Sequence, residues 1–341
     1  MNEYIYLAPI AIAFFLAFNM GASGMSPSFS VAHGANLIRK DYIPGLFGVF
    51  VIAGALLAGH KVMATIGGAI LPAERMSLFM VSIVLLASAL SLLFANILKV
   101  PQSTSQSTVF ALAGCAWSLG SLQTGKLFLE IVPMWFVLPI AAFLVTLGAG
   151  FIGQRIRKTL IPNSFSEVHK HPAWRLVTLA CSCYVAFSIG SNNVANAAAP
   201  IASLFRNDIG LDEGVSVLML SLICILLVAP WFGIGASMLG GRVLATTAKD
   251  MLSIGPMGAA LVSVVTATLL LLASSLRGIP SSLVQMNVFA IMALGCLRKG
   301  RGDGLKKTVM AKMFATWLAA PAMAFLLACA MTALARRAGW L

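Results

Sequence analysis

Three asparagines, Asn192, Asn193 and Asn196, fall within five residues of the stretch 190–200, GSNNVANAAAP, in the middle of a long apolar run. Each primary amide carries two N–H donors and a carbonyl acceptor, and burying these without partners is costly. Two further clusters are of the same kind: Ser103, Thr104, Ser105 and Gln106 in 101–106, PQSTSQ, and Ser281, Ser282 and Gln285 in 280–285, PSSLVQ. Hydroxyls and amides grouped in this way are uncharged hydrogen-bonding groups. They can hold an oxyanion or line a polar path. An enzyme would need a nucleophile with its base, a metal cluster or paired carboxylates, and the apolar runs contain no such constellation. The chemistry is binding, not bond making.

The elements that must position these residues are membrane spans. Of 341 residues, 60% are hydrophobic and 10% charged, with a mean hydropathy of +0.95; a soluble domain carries about 25% charged residues. Apolar runs near or above the roughly 20 residues that cross a bilayer recur along the whole chain. The formal charge of +13 does not signal nucleic acid, because the cations cluster in short breaks between runs, as at Arg155, Arg157 and Lys158 or Arg298, Lys299, Arg301, Lys306 and Lys307. That is the pattern of the positive-inside bias. The six cysteines all lie in apolar segments without zinc or disulfide spacing and read as small buried hydrophobes. The run 4–20 lacks a basic lead and reads as the first span rather than a cleaved signal.

Apolar segments fall at 4–36 and 174–205, both interrupted, and at 42–60, 76–98, 104–120, 131–153, 213–238, 253–276, 281–297 and 309–335. Counting each as one crossing gives ten. With the N-terminus outside, 16 of the 23 Lys and Arg lie on the inner side, including those of a basic cytoplasmic loop at 154–173.

The chain also resembles itself. Residues 17–28, AFNMGASGMSPS, align with 186–197, AFSIGSNNVANA. Residues 101–111, PQSTSQSTVFA, align with 280–290, PSSLVQMNVFA, with six identities in eleven. The offsets of 169 and 179 residues are nearly constant, so the expectation is a duplication: a first transmembrane repeat at 1–153 and a second at 174–341. An odd number of crossings per repeat inverts one relative to the other, with the site at the midplane between them. The fold class is therefore an all-α polytopic membrane protein. It is built of two inverted-topology repeats with broken helices and half-helices or re-entrant segments at midplane.

The polar interruptions fall at the same two places in each half: 19–28 and 190–196, then 101–108 and 280–287. Irregular backbone at membrane depth survives only inside protein or around a polar cavity. Gly21, Gly24 and Gly190 would let the backbone unwind, and Pro101 and Pro280 would each open a half-helix at its first position. The free N–H groups of a helix N-terminus and its partial positive charge form an anion site. Two such termini meeting at midplane would hold a tetrahedral oxyanion without lysine or arginine.

The 190–197 sequence GSNNVANA resembles the repeated Gly-Ala-Asn-Asp-Val-Ala-Asn-Ala signature of the inorganic phosphate transporter (PiT) family, and PQSTSQ is similar to that family's Pro-x-Ser-Thr-Thr-His/Gln motif. The resemblance runs nearly the whole length. It implies inverted repeats, an oxyanion substrate and coupling to a cation gradient, with motif acids serving cations and Ser/Thr half-helices holding the anion. The departures matter. The motif aspartate position is Asn193 in the second half and Gly24 in the first, and two hydroxyl positions of the second half-helix are Leu283 and Val284. The family's sodium ligands therefore do not carry over directly.

These departures select a substrate. Phosphate near neutral pH keeps an O–H that needs an acceptor, whereas sulfate wants donors only and is repelled by a carboxylate. All ten acids fall at span ends or in loops, which favours sulfate, as in the family's sulfate-permease branch. Phosphate, thiosulfate, molybdate or selenate are the alternatives, and an anion channel of the same fold is the other class. The expected cradle is Ser103, Thr104, Ser105, Gln106, Ser281, Ser282, Gln285, Asn192, Asn193, Asn196 and Ser23.

Drawing a dianion into a negative interior costs about 4.6 kcal/mol per 100 mV, so uptake needs co-transported H+ or Na+. The candidates for cation coupling are Asn193, Gly24, Ser23 and His33, with His33 the intramembrane candidate for a proton carrier and a histidine at the cytoplasmic rim its other reading. No resident cofactor is implied. The expected partners are sulfate or a related oxyanion and the lipid bilayer, not nucleic acid, with pairing into a homodimer common among such carriers. The expected location is the plasma (inner) membrane, as a multi-pass protein.

Overall fold

The computed structural model describes residues 3–34, 38–98, 100, 102–160, 172–210, 215–252, 255–297 and 307–341. Among these, all regular structure is helical. The helices are α1 (Leu7–Gly34), α2 (Ile43–Ala58), α3 (His60–Ala64), α4 (Leu78–Ile97), α5 (Thr104–Ser118), α6 (Val132–Leu160) and α7 (Pro172–Asn193). They continue as α8 (Ala195–Ile209), α9 (Val215–Val228), α10 (Pro230–Leu252), α11 (Gly255–Leu271), α12 (Leu283–Leu297) and α13 (Lys307–Arg337). Single π turns extend α3 to Ala69 and α11 to Leu276 and lead into α6 from Lys126.

Seven helical stretches among the described residues are long and apolar enough to cross a membrane. Their outer faces expose Leu57, Leu129, Met238 and Leu318, the arrangement expected where hydrocarbon replaces water. The inner faces use small residues to bring backbones together. Gly21 of α1 lies against the Phe232 carbonyl of α10, and Gly235 of α10 against the Phe18 carbonyl of α1. Gly54 of α2 and the Phe187 carbonyl of α7, with Gly190 and the Val51 carbonyl, repeat the device. A side chain at any of the four would collide with backbone, so α1–α10 and α2–α7 are tight pairs.

The sequence expectation of a broken first span is corrected by this packing. α1 is continuous from Leu7 to Gly34 with Pro27 inside it. Gly21 serves helix contact rather than unwinding, and the Cβ of any residue replacing Gly24 would stand 3.2 Å from Phe47 Cζ. The Ser28 hydroxyl donates to the Gly24 carbonyl at 3.1 Å in the turn around the proline. The second interrupted segment does break, at Val194 between α7 and α8.

The prolines are a second correction. α5 begins at Thr104 with Ser103 as its cap, and α12 begins at Leu283, three residues beyond Pro280. Pro101 lies outside the described residues, as does most of the basic loop expected at 154–173, since α6 runs on to Leu160. With 15 residues each, α5 and α12 reach only about 22 Å, too short for a crossing.

The short helices exchange partners between the halves of the chain: α5 lies against α4 and α13, α12 against α11 and α6. Contacts also sort the helix ends into two groups. One end of the bundle holds Lys61 with Leu276, Asn207 with Ala73, and Arg336 with Ser118. The other holds Lys312 with Leu98, Gln154 with Leu297, and Lys40 beside Gly241.

Candidate functional site

The N-terminal turns of α5 and α12 converge in the protein interior. Ser103 has extended backbone, φ −78° and ψ 111°, and its hydroxyl accepts from the Gln106 N–H at 3.3 Å. Ser282 does the same for the Gln285 N–H at 3.3 Å. Serine is a preferred cap because its oxygen satisfies one of the helix's free N–H groups. The two capped residues then meet: Gln106 Nε2 donates to Gln285 Oε1 at 3.1 Å, and Gln285 Nε2 returns a bond to Gln106 Oε1 at 3.2 Å. The positions differ by 179 residues, the same offset as the sequence alignment.

Asn192, at the end of α7, ties both termini together. Its Nδ2 lies 3.0 Å from Ser105 Oγ and donates to the Ser281 carbonyl at 2.9 Å, while its Oδ1 accepts from the Ser281 N–H at 3.0 Å. Nδ2 is also 2.6 Å from Asn193 Oδ1. Asn196 Nδ2, one turn on, lies 3.3 Å from Ser105 Oγ and 3.4 Å from Thr104 Oγ1. Ser103, Thr104, Ser105, Gln106, Ser281, Ser282, Asn192 and Asn196 are all buried, and Asn193 and Gln285 are half-buried. Asn196 Oδ1 and Gln102 Oε1 are buried with no hydrogen-bond partner, two acceptors without donors at the rim of the cluster.

Of the four cation candidates Asn193 lies in the cluster, beside Asn192, and the three on α1 stand apart. The Ser23 hydroxyl donates to the Met20 carbonyl within α1 at 3.1 Å, Gly24 faces Phe47 and Ile189, and His33 sits a turn from Ser30 with its Nδ1 buried and unpartnered. α1 instead reaches the cluster through Met20, whose sulfur is 4.0 Å from Asn196 Nδ2.

Other supporting residues lay outside the sequence expectation. Gln102 Nε2 donates to Ser107 Oγ at 3.3 Å, and Ser91 joins Ser107 at 3.0 Å and the Ala320 carbonyl at 2.7 Å. Trp135 of α6 donates its Nε1–H to the Pro280 carbonyl at 2.9 Å. Gln102 and Ser107 belong to the polar run already noticed; Ser91 and Trp135 sit in apolar spans with nothing local to single them out.

Electrostatically the cluster is neutral. Asp41, Glu74, Glu130 and Asp208 are all exposed, and among the described residues no three His, Cys, Asp or Glu could share a metal. The first N–H groups of α5 and α12, which have no intrahelical partner, and the hydroxyls of Thr104, Ser105 and Ser281 form a buried, charge-free cluster rich in donors. Such a cluster suits an anion held by hydrogen bonds and helix dipoles.

Comparison with known proteins agrees with this chemistry. The chain is 32% identical over 316 residues to "Sulfate permease CysP" of Bacillus subtilis (strain 168), an alignment covering 92% of this chain and 84% of that protein. Its fold superimposes on a solved structure titled "The sodium-dependent phosphate transporter" with a TM-score of 0.82, at 22% identity, over 98% of this chain and 99% of that one. The phosphate transporter family model matches residues 20–328, and the chain belongs to that family of membrane transporters.

Proposed function

We propose that the protein is a secondary active transporter that imports sulfate by cation-coupled symport. The observation that carries the reading is the neutral cradle: two half-helix N-termini joined by Asn192 and the Gln106–Gln285 pair, with an amide, Asn193, where the resembled motif has an acid. A dianion without a proton is matched by donors and repelled by carboxylate, so this lining favours sulfate. The relative named a sulfate permease supports the same choice. A second reading, phosphate, draws on one specific atom: the unpartnered Asn196 Oδ1 is an acceptor that a phosphate O–H would fill.

In this reading the exchange of neighbours between halves, α5 on α13 and α12 on α6, reflects two inverted repeats. The bundle end that holds Lys312 and Leu98 faces the cytoplasm, with the N-terminus outside and the protein in the plasma membrane. Symport follows from energetics, since about 4.6 kcal/mol per 100 mV opposes entry of a dianion. Neutral oxygens such as Asn196 Oδ1 suit a co-transported cation, and His33, with its Nδ1 buried and unpartnered, is the candidate carrier of a proton. Uptake of labelled sulfate and phosphate into proteoliposomes, with sodium and pH gradients imposed separately, tests the whole reading. Sulfate accumulation driven by one cation gradient is expected; preferential phosphate uptake, or flux that dissipates without accumulation, overturns it.

A further inference from the structure

Each short helix is preceded by a tip, residues 277–282 before α12 and, among the described residues, Leu98, Val100, Gln102 and Ser103 before α5, and each tip is seated on the opposite half of the chain. At one end of the bundle, Lys61 Nζ donates to the Leu276 carbonyl at 3.0 Å, the last turn before α12. Gly278, at φ +63°, lies flush against the same residue: a Cβ there would fall 2.7 Å from the Lys61 carbonyl. The Ser275 hydroxyl reaches the Ala58 carbonyl at 3.4 Å, and Trp135 holds the Pro280 carbonyl. At the other end, Lys312 Nζ donates to the Leu98 carbonyl at 3.1 Å, the C-cap of α4, six residues before α5. Val100 there packs with Met313 and Trp317 of α13 in a small apolar cluster separate from the main core.

Neither lysine has a carboxylate partner among the described residues, and both are exposed at their helix ends. A cation on the final carbonyls of a helix stabilises that terminus through unsatisfied C=O groups and the dipole. The same geometry therefore occurs twice, at opposite ends of a cradle that is itself buried.

We propose that Lys61 and Lys312 are positioning residues that latch the two tips, each closing one end of the transport path. This rests on the proposed transporter reading, with the cradle opening to one side at a time: opening of an end lifts its tip from the opposite half and breaks that end's latch while the other stays made. Loss of one lysine then biases the protein toward opening at its own end. The two losses act in opposite directions, a result that a merely structural role does not produce.

The test uses the full chain in oriented vesicles, with Ser103→Cys as a reporter in the cradle and a charged, membrane-impermeant thiol reagent applied from either side. Protein without the reporter supplies the background of the native cysteines. Lys61→Gln is expected to raise labelling from the Lys61 side roughly two- to fivefold and to lower it from the other, the scale of an exposed cation on a helix end. Lys312→Gln is expected to do the reverse, and the arginine variants to restore the parent pattern. Trp135→Phe, which removes the bond to Pro280 and keeps an aromatic ring against Phe110, must shift labelling in the same direction as Lys61→Gln even if the lysine variant fails to insert. Equal labelling changes on both sides, or none, overturn the proposal. Labelling needs no substrate, so it stands or falls separately from the identity of the anion.

Discussion

The two half-helix starts by which the chain enters the proposed cradle are related by sequence yet differ in chemistry. At α5 every residue from Gln102 to Thr108 is polar and buried. At α12 the matching stretch holds Ser281, Ser282, Gln285 and Asn287, with Leu283, Val284 and Met286 between them. Both keep the capping serine and the glutamine of the reciprocal pair. What the second has lost is hydroxyls, and Asn192 makes up part of that loss by gripping the backbone of Ser281. The motif positions show the same contrast, with Gly24 sealed against Phe47 while Asn193 stays half-buried beside Asn192. The difference teaches that α5 supplies side-chain donors and α12 supplies a held backbone.

The largest break in this arrangement is Asn192→Ala. It strands the Ser281 N–H and carbonyl in the interior and leaves Ser105 Oγ with Asn196 Nδ2 alone. Each buried polar group left unpaired costs about 1–3 kcal/mol, so thermal unfolding in detergent should show a loss of roughly that size or more. Sulfate uptake should all but disappear. Wild-type uptake in this variant would remove Asn192 from the joint between the two helix starts.

Next come Ser103→Ala and Asn193→Ala, each expected to cut sulfate uptake more than about tenfold, a loss of about 1.4 kcal/mol, while the protein still inserts. Uptake assays on quantified membranes check both, and normal uptake in both variants sinks the assigned cradle. Asn193→Asp sharpens the comparison through selectivity. A carboxylate supplies an acceptor to phosphate and repels sulfate, so competition assays should show the sulfate-to-phosphate preference falling about tenfold. Gly24→Asp is its control: with Phe47 already 3.2 Å from a new Cβ, it should reduce the amount of folded protein without gaining phosphate transport.

The pairing of the two half-helices was legible because a second, similar stretch doubled a weak signal. PQSTSQ alone is a polar run; with PSSLVQ at a matching offset it becomes a candidate site. Membrane class and the break near Asn193 were legible too, the first from composition and the second from amides that hydrocarbon cannot satisfy. α1 misled because glycine and proline read locally as breaks, whereas Gly21 is set by Phe232, more than two hundred residues away. Trp135, Lys61 and Lys312 were invisible for the same reason. Their partners Pro280, Leu276 and Leu98 contribute backbone carbonyls, which no residue type announces.

The smallest expected effect probes whether the hydroxyls missing from α12 matter. Leu283→Thr restores one donor beside Ser282 at a buried position. If α12 works through its backbone, the new hydroxyl has no task and must find its own acceptor, most readily a carbonyl one turn back or Ser282 itself. Removing part of a buried leucine costs about 1–3 kcal/mol of packing, and that cost should appear in thermal unfolding. Sulfate affinity should stay within about twofold, under 0.5 kcal/mol. A gain of tenfold would mean that the second helix start lacks donors the anion can use. The division of labour between side chains at α5 and backbone at α12 would then give way to a cradle that is merely incomplete on one side.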